Sequence, residues 1–218
     1  MSVLQLLMSW AHDLRQMAIA PIIDTDMSYG QGSVSTEGRA EMDFVLVRHG
    51  VQDPKQKDGP LTPHGRHQAR ALADGLKLRG TTPGLILTSK RARALETAKT
   101  LQQKLRPQSA PAAQLIEIDA LTPKAGPGDI AEISRQAGHS GADLTMSRCV
   151  LLVGHEGRLS DLVTELTGHR AHPLPPGGAV CVRGASFQEL VSGRGSVRYR
   201  YPTVDIKRIS SALRSTRK

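Results

Sequence analysis

Three short apolar runs, DFVLVR at 43–48, GLILTS at 84–89 and CVLLVG at 149–154, each lead through a polar or glycine-containing turn into a helical pattern. Short apolar runs set between helices are the pattern of strands buried on both faces, and such strands belong to a mainly parallel sheet. Thr62 is placed to cap a helix that opens on Pro63, with Ala69, Leu72, Ala73 and Leu76 recurring on one face. Further helices are expected over Arg91–Leu105, Pro127–Ala137 and Gly157–Gly168. A weaker strand is expected at Gln114–Ile118, and two late strands, Ala179–Arg183 and Ser196–Tyr201, belong at a sheet edge. This alternation predicts an α/β fold: a three-layer αβα sandwich whose mainly parallel central sheet is covered by helices on both faces.

The 218 residues suit one medium domain with appendages. Residues 1–41 carry two basic and five acidic side chains and read as an N-terminal extension and linker, partly disordered, with a short helix near Leu4–Met17. The folded domain is expected over 42–203, and a basic tail over 204–218. Residues 194–218 hold eight basic residues and one acid. The tail has no interleaved aromatics and the chain no nucleic-acid-binding motif, so nucleic acid is not the expected partner. No run approaches the roughly 18 apolar residues of a membrane span, and the amino terminus lacks the features of a signal peptide. Cys149 and Cys181, both in apolar strand-like runs, are expected to be buried reduced thiols, which fits a cytoplasmic setting.

The polar residues that follow the strands carry the chemistry. In open α/β sheets, ligands sit at the carboxyl ends of the strands. Arg48-His49-Gly50 ends the first strand, Ser89 to Arg93 follows the second, and Gly154-His155-Glu156-Gly157 follows the fourth. If these strands are parallel, two histidines and at least two arginines meet on one rim, a cationic hollow suited to a phosphoryl group. A neutral imidazole is a competent nucleophile towards phosphorus and divides hydrolysis into two steps. Planar guanidinium forks match the equatorial oxygens of the phosphoryl group, glycine permits close backbone approach, and a helix start adds amide donors. No cofactor is implied, and no set of residues has metal-ligand spacing.

The order of these motifs resembles that of the histidine phosphatase superfamily, the phosphoglycerate mutase-like proteins. The arginine-histidine-glycine signature of that family matches Arg48, His49 and Gly50. A second segment matches Leu61, Thr62, Gly65, Gln68 and Ala69, a third Ser89, Arg93, Ala94, Thr97 and Ala98, and the second histidine is His155. The resemblance covers about residues 43–203. It implies that His49 is the phosphorylated nucleophile and that Arg48, Arg93, His155 and Gly50 bind the phosphate. The sequence departs from the family pattern at Lys90, where proline is usual, and at Glu96, where glutamine is usual.

Nothing after Gly50 matches the stretch that shapes a mutase pocket. The short loop to Asp58-Gly59-Pro60-Leu61-Thr62, the Leu121-Thr122-Pro123 segment and Gly154-His155-Glu156 are similar to the small SixA-like branch, whose type member removes phosphate from phosphohistidine. The expected activity is therefore hydrolysis through a phosphohistidine intermediate, with protein phosphohistidine as substrate. The alternatives are a small-molecule phosphomonoesterase acting on a sugar phosphate or nucleotide, and a silent phosphate-binding interaction module. The partner is accordingly a phosphorylated protein or a small phosphorylated metabolite. Asp53, Asp58 and Glu156 are the candidates for a general acid, with Asp119 a weaker one, while His64 and His67 read as surface or capping residues.

Overall fold

The structure is a computed structural model that describes residues 41–56, 58–123 and 129–201. Six strands form one sheet: β1 (Met42–Arg48), β2 (Leu85–Ser89), β3 (Gln114–Ile118), β4 (Cys149–Gly154), β5 (Ala179–Gly184) and β6 (Ser196–Tyr201), in the order β3-β2-β4-β1-β5-β6. The first four are mutually parallel; β5 runs antiparallel to β1, and β6 antiparallel to β5. As expected, the late strands lie at one edge. The outermost, β6, alternates exposed and half-buried residues, as a strand with one solvated face does.

Helices cover both faces. On one side α1 (Pro63–Leu78) and α2 (Ala92–Leu105) pack Leu72, Leu76, Ala98 and Leu101 against Val45, Val47, Ile86 and Leu151. On the other, α3 (Ile130–His139), α4 (Arg158–Thr167) and the short α5 (Phe187–Val191) pack Ile133, Leu162 and Leu190 in one core with Phe44, Leu46, Leu87 and Leu152. Alternate residues of β1 thus serve opposite cores, as the two-residue period of a strand requires. The result is the expected three-layer sandwich. Among the described residues no helix is long and apolar enough to cross a membrane.

Local signals set most boundaries. The Thr62 hydroxyl accepts the Gly65 amide at 3.0 Å and starts α1 at Pro63. The third helix differs from its expected span of Pro127–Ala137: Asp129 accepts the Glu132 amide at 2.8 Å and caps a helix that begins at Ile130 and continues to His139. Helix α5, capped by Ser186, was not expected, because five residues are too few to show periodicity. Cys181 is buried and Cys149 half-buried, both as free thiols whose pKa burial pushes up to about 12. Apart from Glu41, the N-terminal extension and the basic tail lie outside the described residues.

Candidate active site

The register of the central strands builds the site. Arg48, the last residue of β1, lies opposite Gly154, the last of β4. The residues that follow, His49 and His155, therefore leave the sheet side by side, with the His49 amide donating to the Gly154 carbonyl at 3.1 Å. Their rings stand edge to face with centroids 4.8 Å apart. From the turn after β2, Arg93 enters in the first turn of α2 and lies between them. Its Nε donates to His49 Nε2 at 3.1 Å and its Nη2 to His155 Nδ1 at 3.2 Å. His49 and Arg93 are each 8% exposed and His155 4%.

The hydrogen bonds fix the proton on each ring. His49 Nδ1 faces the Gly50 carbonyl at 2.7 Å, an acceptor only, so Nδ1 carries the proton and Nε2 keeps its lone pair. His155 receives a guanidinium donor at Nδ1, so its proton sits on Nε2 and is donated to Ser89 Oγ at 3.1 Å. Ser89 Oγ in turn lies 3.1 Å from Thr122 Oγ1. Both imidazoles are held neutral. Burial, then the nearby Arg93 and Arg48 guanidinium groups, lower the His49 pKa to about 4 against the opposing Gly50 hydrogen bond. Burial, then His49 and three arginines, take His155 to about 3.

Arg48 flanks the pair. Its Nη1 donates to the Leu174 carbonyl at 2.7 Å and lies 3.9 Å from Glu156, whereas its buried Nε has no acceptor. Two helices begin beside the histidines without a side-chain cap: α2 after Arg91 and α4 after Gly157. Their first-turn amides add positive potential where a phosphate would sit. Gly157, immediately after Glu156, has φ 83°, a left-handed conformation that suits glycine. Gly50 and Gly65 are in backbone contact: a Cβ on Gly50 would meet the Gly65 carbonyl oxygen at 2.5 Å. This close approach brings α1 against the turn that holds His49.

The three acid candidates separate clearly. Asp53 accepts the Lys55 amide at 2.9 Å and closes a turn of its own loop. Glu156 receives the Leu174 amide at 2.7 Å and the Ser160 hydroxyl, and buttresses Arg48. Only Asp58 touches Arg93: Oδ1 is 3.5 Å from Arg93 Nη1, and Oδ2 is 2.5 Å from Arg91 Nη1. Both of its oxygens thus face guanidinium groups. The site thus brings together Arg48, His49, Gly50, Arg93, His155 and Asp58, and leaves Asp53 aside.

The two departures from the family pattern also find partners. Glu96 accepts the Leu61 amide at 2.8 Å and pairs with Arg66 at 2.7 Å, tying the loop before α1 to α2. Lys90 pairs with Asp119 at 2.7 Å, both exposed. His64 and His67 are exposed on α1, as expected. Sequence reasoning gave no role to Ser89, Thr122 or the Leu174 carbonyl. Ser89 was visible as a motif position, but its partner, 66 residues away, was not. A backbone carbonyl leaves no trace in sequence. Among the described residues no group of three or more His, Cys, Asp or Glu is placed to hold a metal.

Residues 44–125 match the model of the histidine phosphatase superfamily, branch 1. Among solved structures, the protein histidine phosphatase SixA complexed with tungstate is similar at 23% identity and a TM-score of 0.56, over 74% of this chain and 97% of that one. The mycobacterial glucosyl-3-phosphoglycerate phosphatase is similar at 19% identity and a TM-score of 0.53, over 75% of this chain and 100% of that one. No curated protein matches the sequence. The superfamily match thus spans residues 44–125, and the solved structures show that the fold of the whole domain is shared. That fold is common to a protein histidine phosphatase and a glucosyl-3-phosphoglycerate phosphatase.

Proposed function

We propose that the chain is a phosphatase that works through a phosphorylated His49, with phosphohistidine on a protein as the substrate. The observation that carries this reading is the tautomer. The Nδ1–H of His49 rests on the Gly50 carbonyl, so the lone pair of Nε2 faces the cluster of Arg93 and His155.

The substrate phosphate takes over the Arg93 donors now resting on imidazole nitrogens, together with the unpaired Nε of Arg48. His49 Nε2 then attacks phosphorus, the bond from phosphorus to the leaving atom breaks, and its electron pair departs with the leaving group. The His49 ring becomes cationic, with its Nδ1–H still on the Gly50 carbonyl. Charge on the equatorial oxygens is stabilised by the two guanidinium groups. In the second step water attacks phosphorus, the N–P pair returns to Nε2, and the water proton passes to phosphate or solvent.

Each acid candidate, Asp53, Asp58 and Glu156, is already engaged as a hydrogen-bond or ion-pair acceptor, and an alkoxide leaving group benefits from a proton donor. Imidazole does not need it: once the second nitrogen of a phosphohistidine has taken a proton from solvent, the ring leaves neutral. That difference favours a phosphohistidine substrate over a sugar phosphate or nucleotide.

The test is to quench the reaction and look for acid-labile, alkali-stable phosphate on the chain, with a phosphohistidine protein and a panel of sugar phosphates and nucleotides as donors. Labelling of the wild type and none in His49→Ala is expected, with fastest turnover of the phosphohistidine protein. A metabolite hydrolysed orders of magnitude faster would move the assignment to a phosphomonoesterase. Tight phosphopeptide binding with no turnover would make the chain a binding module.

A further inference from the structure

The mouth of the site carries a pattern of charge that the proposed chemistry does not use. Following Ser89, Lys90 and Arg91 place two cations beside Arg93. Each is matched by an aspartate from a different part of the chain. Asp119, directly after β3, pairs with Lys90 at 2.7 Å. Asp58, from the loop before α1, pairs with Arg91 at 2.5 Å and reaches Arg93 at 3.5 Å. These four side chains sum to zero charge, in a protein whose net charge is +9. The rim is neutralised locally while the floor, with Arg48 and Arg93, stays cationic. The Asp58 side chain is 47% exposed and the Arg93 side chain only 10%, so the carboxylate lies outward of the guanidinium group it touches.

We propose that Asp58, seconded by Asp119, is a specificity-determining residue that acts as a charge filter. It admits a single phosphoryl group attached to a neutral or cationic leaving group, and withholds from a second anion near the phosphorus the rim cations that would hold it. The inference rests on the phosphatase reading above and narrows its substrate class. A sugar-acid phosphate or a bisphosphate needs spare cations at the mouth, and here each is already paired. A phosphorylated imidazole that has taken a proton carries positive charge on its ring, and its N–H finds an acceptor in Asp58. The same residue therefore disfavours one class and favours the other. Coulomb's law sets the scale: uncovering one rim cation about 6 Å from a second anion, at an effective dielectric constant of about 40, changes the discrimination roughly tenfold.

The experiment compares two aryl phosphates that differ only in charge, 3-carboxyphenyl phosphate and 3-carbamoylphenyl phosphate, by kcat/KM on the full chain. The wild type, whose rim charges cancel, is expected to show little preference for the carboxylate. In Asp58→Asn, which leaves a rim cation unpaired, the ratio should shift about tenfold towards the carboxylate, whatever happens to the absolute rates. Asp119→Asn should shift it the same way by a smaller factor. Raising the ionic strength should shrink the carboxylate preference of Asp58→Asn and leave the wild-type ratio nearly flat. A carboxylate preference of about tenfold in the wild type, or a ratio unmoved in Asp58→Asn while turnover persists, overturns the filter and leaves the phosphatase intact. No turnover of either compound, with no phosphate trapped on His49, overturns both.

Discussion

Protonation of the nucleophile gives the sharpest quantitative test of the site. A histidine in water titrates near 6.5, whereas His49 is held at about 4 by burial and two guanidinium groups. At pH 5 a ring with a pKa of 6.5 is only about 3% neutral, whereas one with a pKa of 4 is about nine-tenths neutral, roughly a thirtyfold difference in competent enzyme. The perturbation is therefore simple acidification. The assay is kcat/KM between pH 4 and 8, which reports ionisations of the free enzyme, divided by the separately measured titration of the substrate. The corrected profile should stay level from pH 8 to about pH 5 and turn down only below it. Long-range proton–nitrogen NMR of the imidazoles, on the free protein, should show both rings neutral at pH 5.5 with the proton on Nδ1 of His49 and Nε2 of His155. The same groups set acid stability. Their folded pKa values lie below the unfolded ones, so from pH 6.5 downwards the unfolded state binds more protons and stability is lost as pH falls. For His49 alone the loss between pH 6.5 and pH 4 is roughly 3 kcal/mol. A corrected acid limb centred near pH 6.5, or an imidazolium signal from His49 at pH 5.5, would refute this account of the site.

Two substitutions test the supporting structure. Gly65→Ala places a Cβ 2.1 Å from the Val51 carbonyl oxygen and 2.9 Å from its nitrogen, both backbone atoms that cannot turn aside. Thermal unfolding should show a loss of about 2 kcal/mol or more, with activity reduced because Gly50 and His49 move with Val51. Ser89→Ala removes the acceptor for the Nε2–H of His155 and leaves a buried donor unpaired. It should cost about 1–3 kcal/mol of stability and lower kcat/KM, with the His155 ring losing its fixed tautomer by NMR; Ser89→Thr should restore part of the loss.

Most of the architecture could be read from the chain because its strands announce themselves. DFVLVR and CVLLVG are short apolar runs bounded by turns, the pattern of buried strands, and β1 and β4 appear where those runs lie. The convergence of His49, Arg93 and His155 followed from one assumption, that the strands before them are parallel, and the register of β1 with β4 supplies it. What sequence left open depends on contacts between distant residues. Asp53, Asp58 and Glu156 were equivalent as acidic residues near motifs, and only the arrangement of Arg91, Arg93 and the Leu174 amide tells them apart. The start of α3 falls at Ile130 rather than Pro127 because the side-chain cap belongs to Asp129.

The register that sets Arg48 beside Gly154 also decides where this chain can change length. Sliding β4 by one residue along β1 would carry His155 about 3.3 Å and turn its neighbours to the opposite core. Insertions or deletions inside either strand would therefore dismantle the site without touching any of its side chains. The turns at the far end of the sheet, between Leu78 and Leu85 and between His139 and Cys149, have no such tie to the histidines. Variation in length can accumulate there and leave the distance between the two rings as it stands.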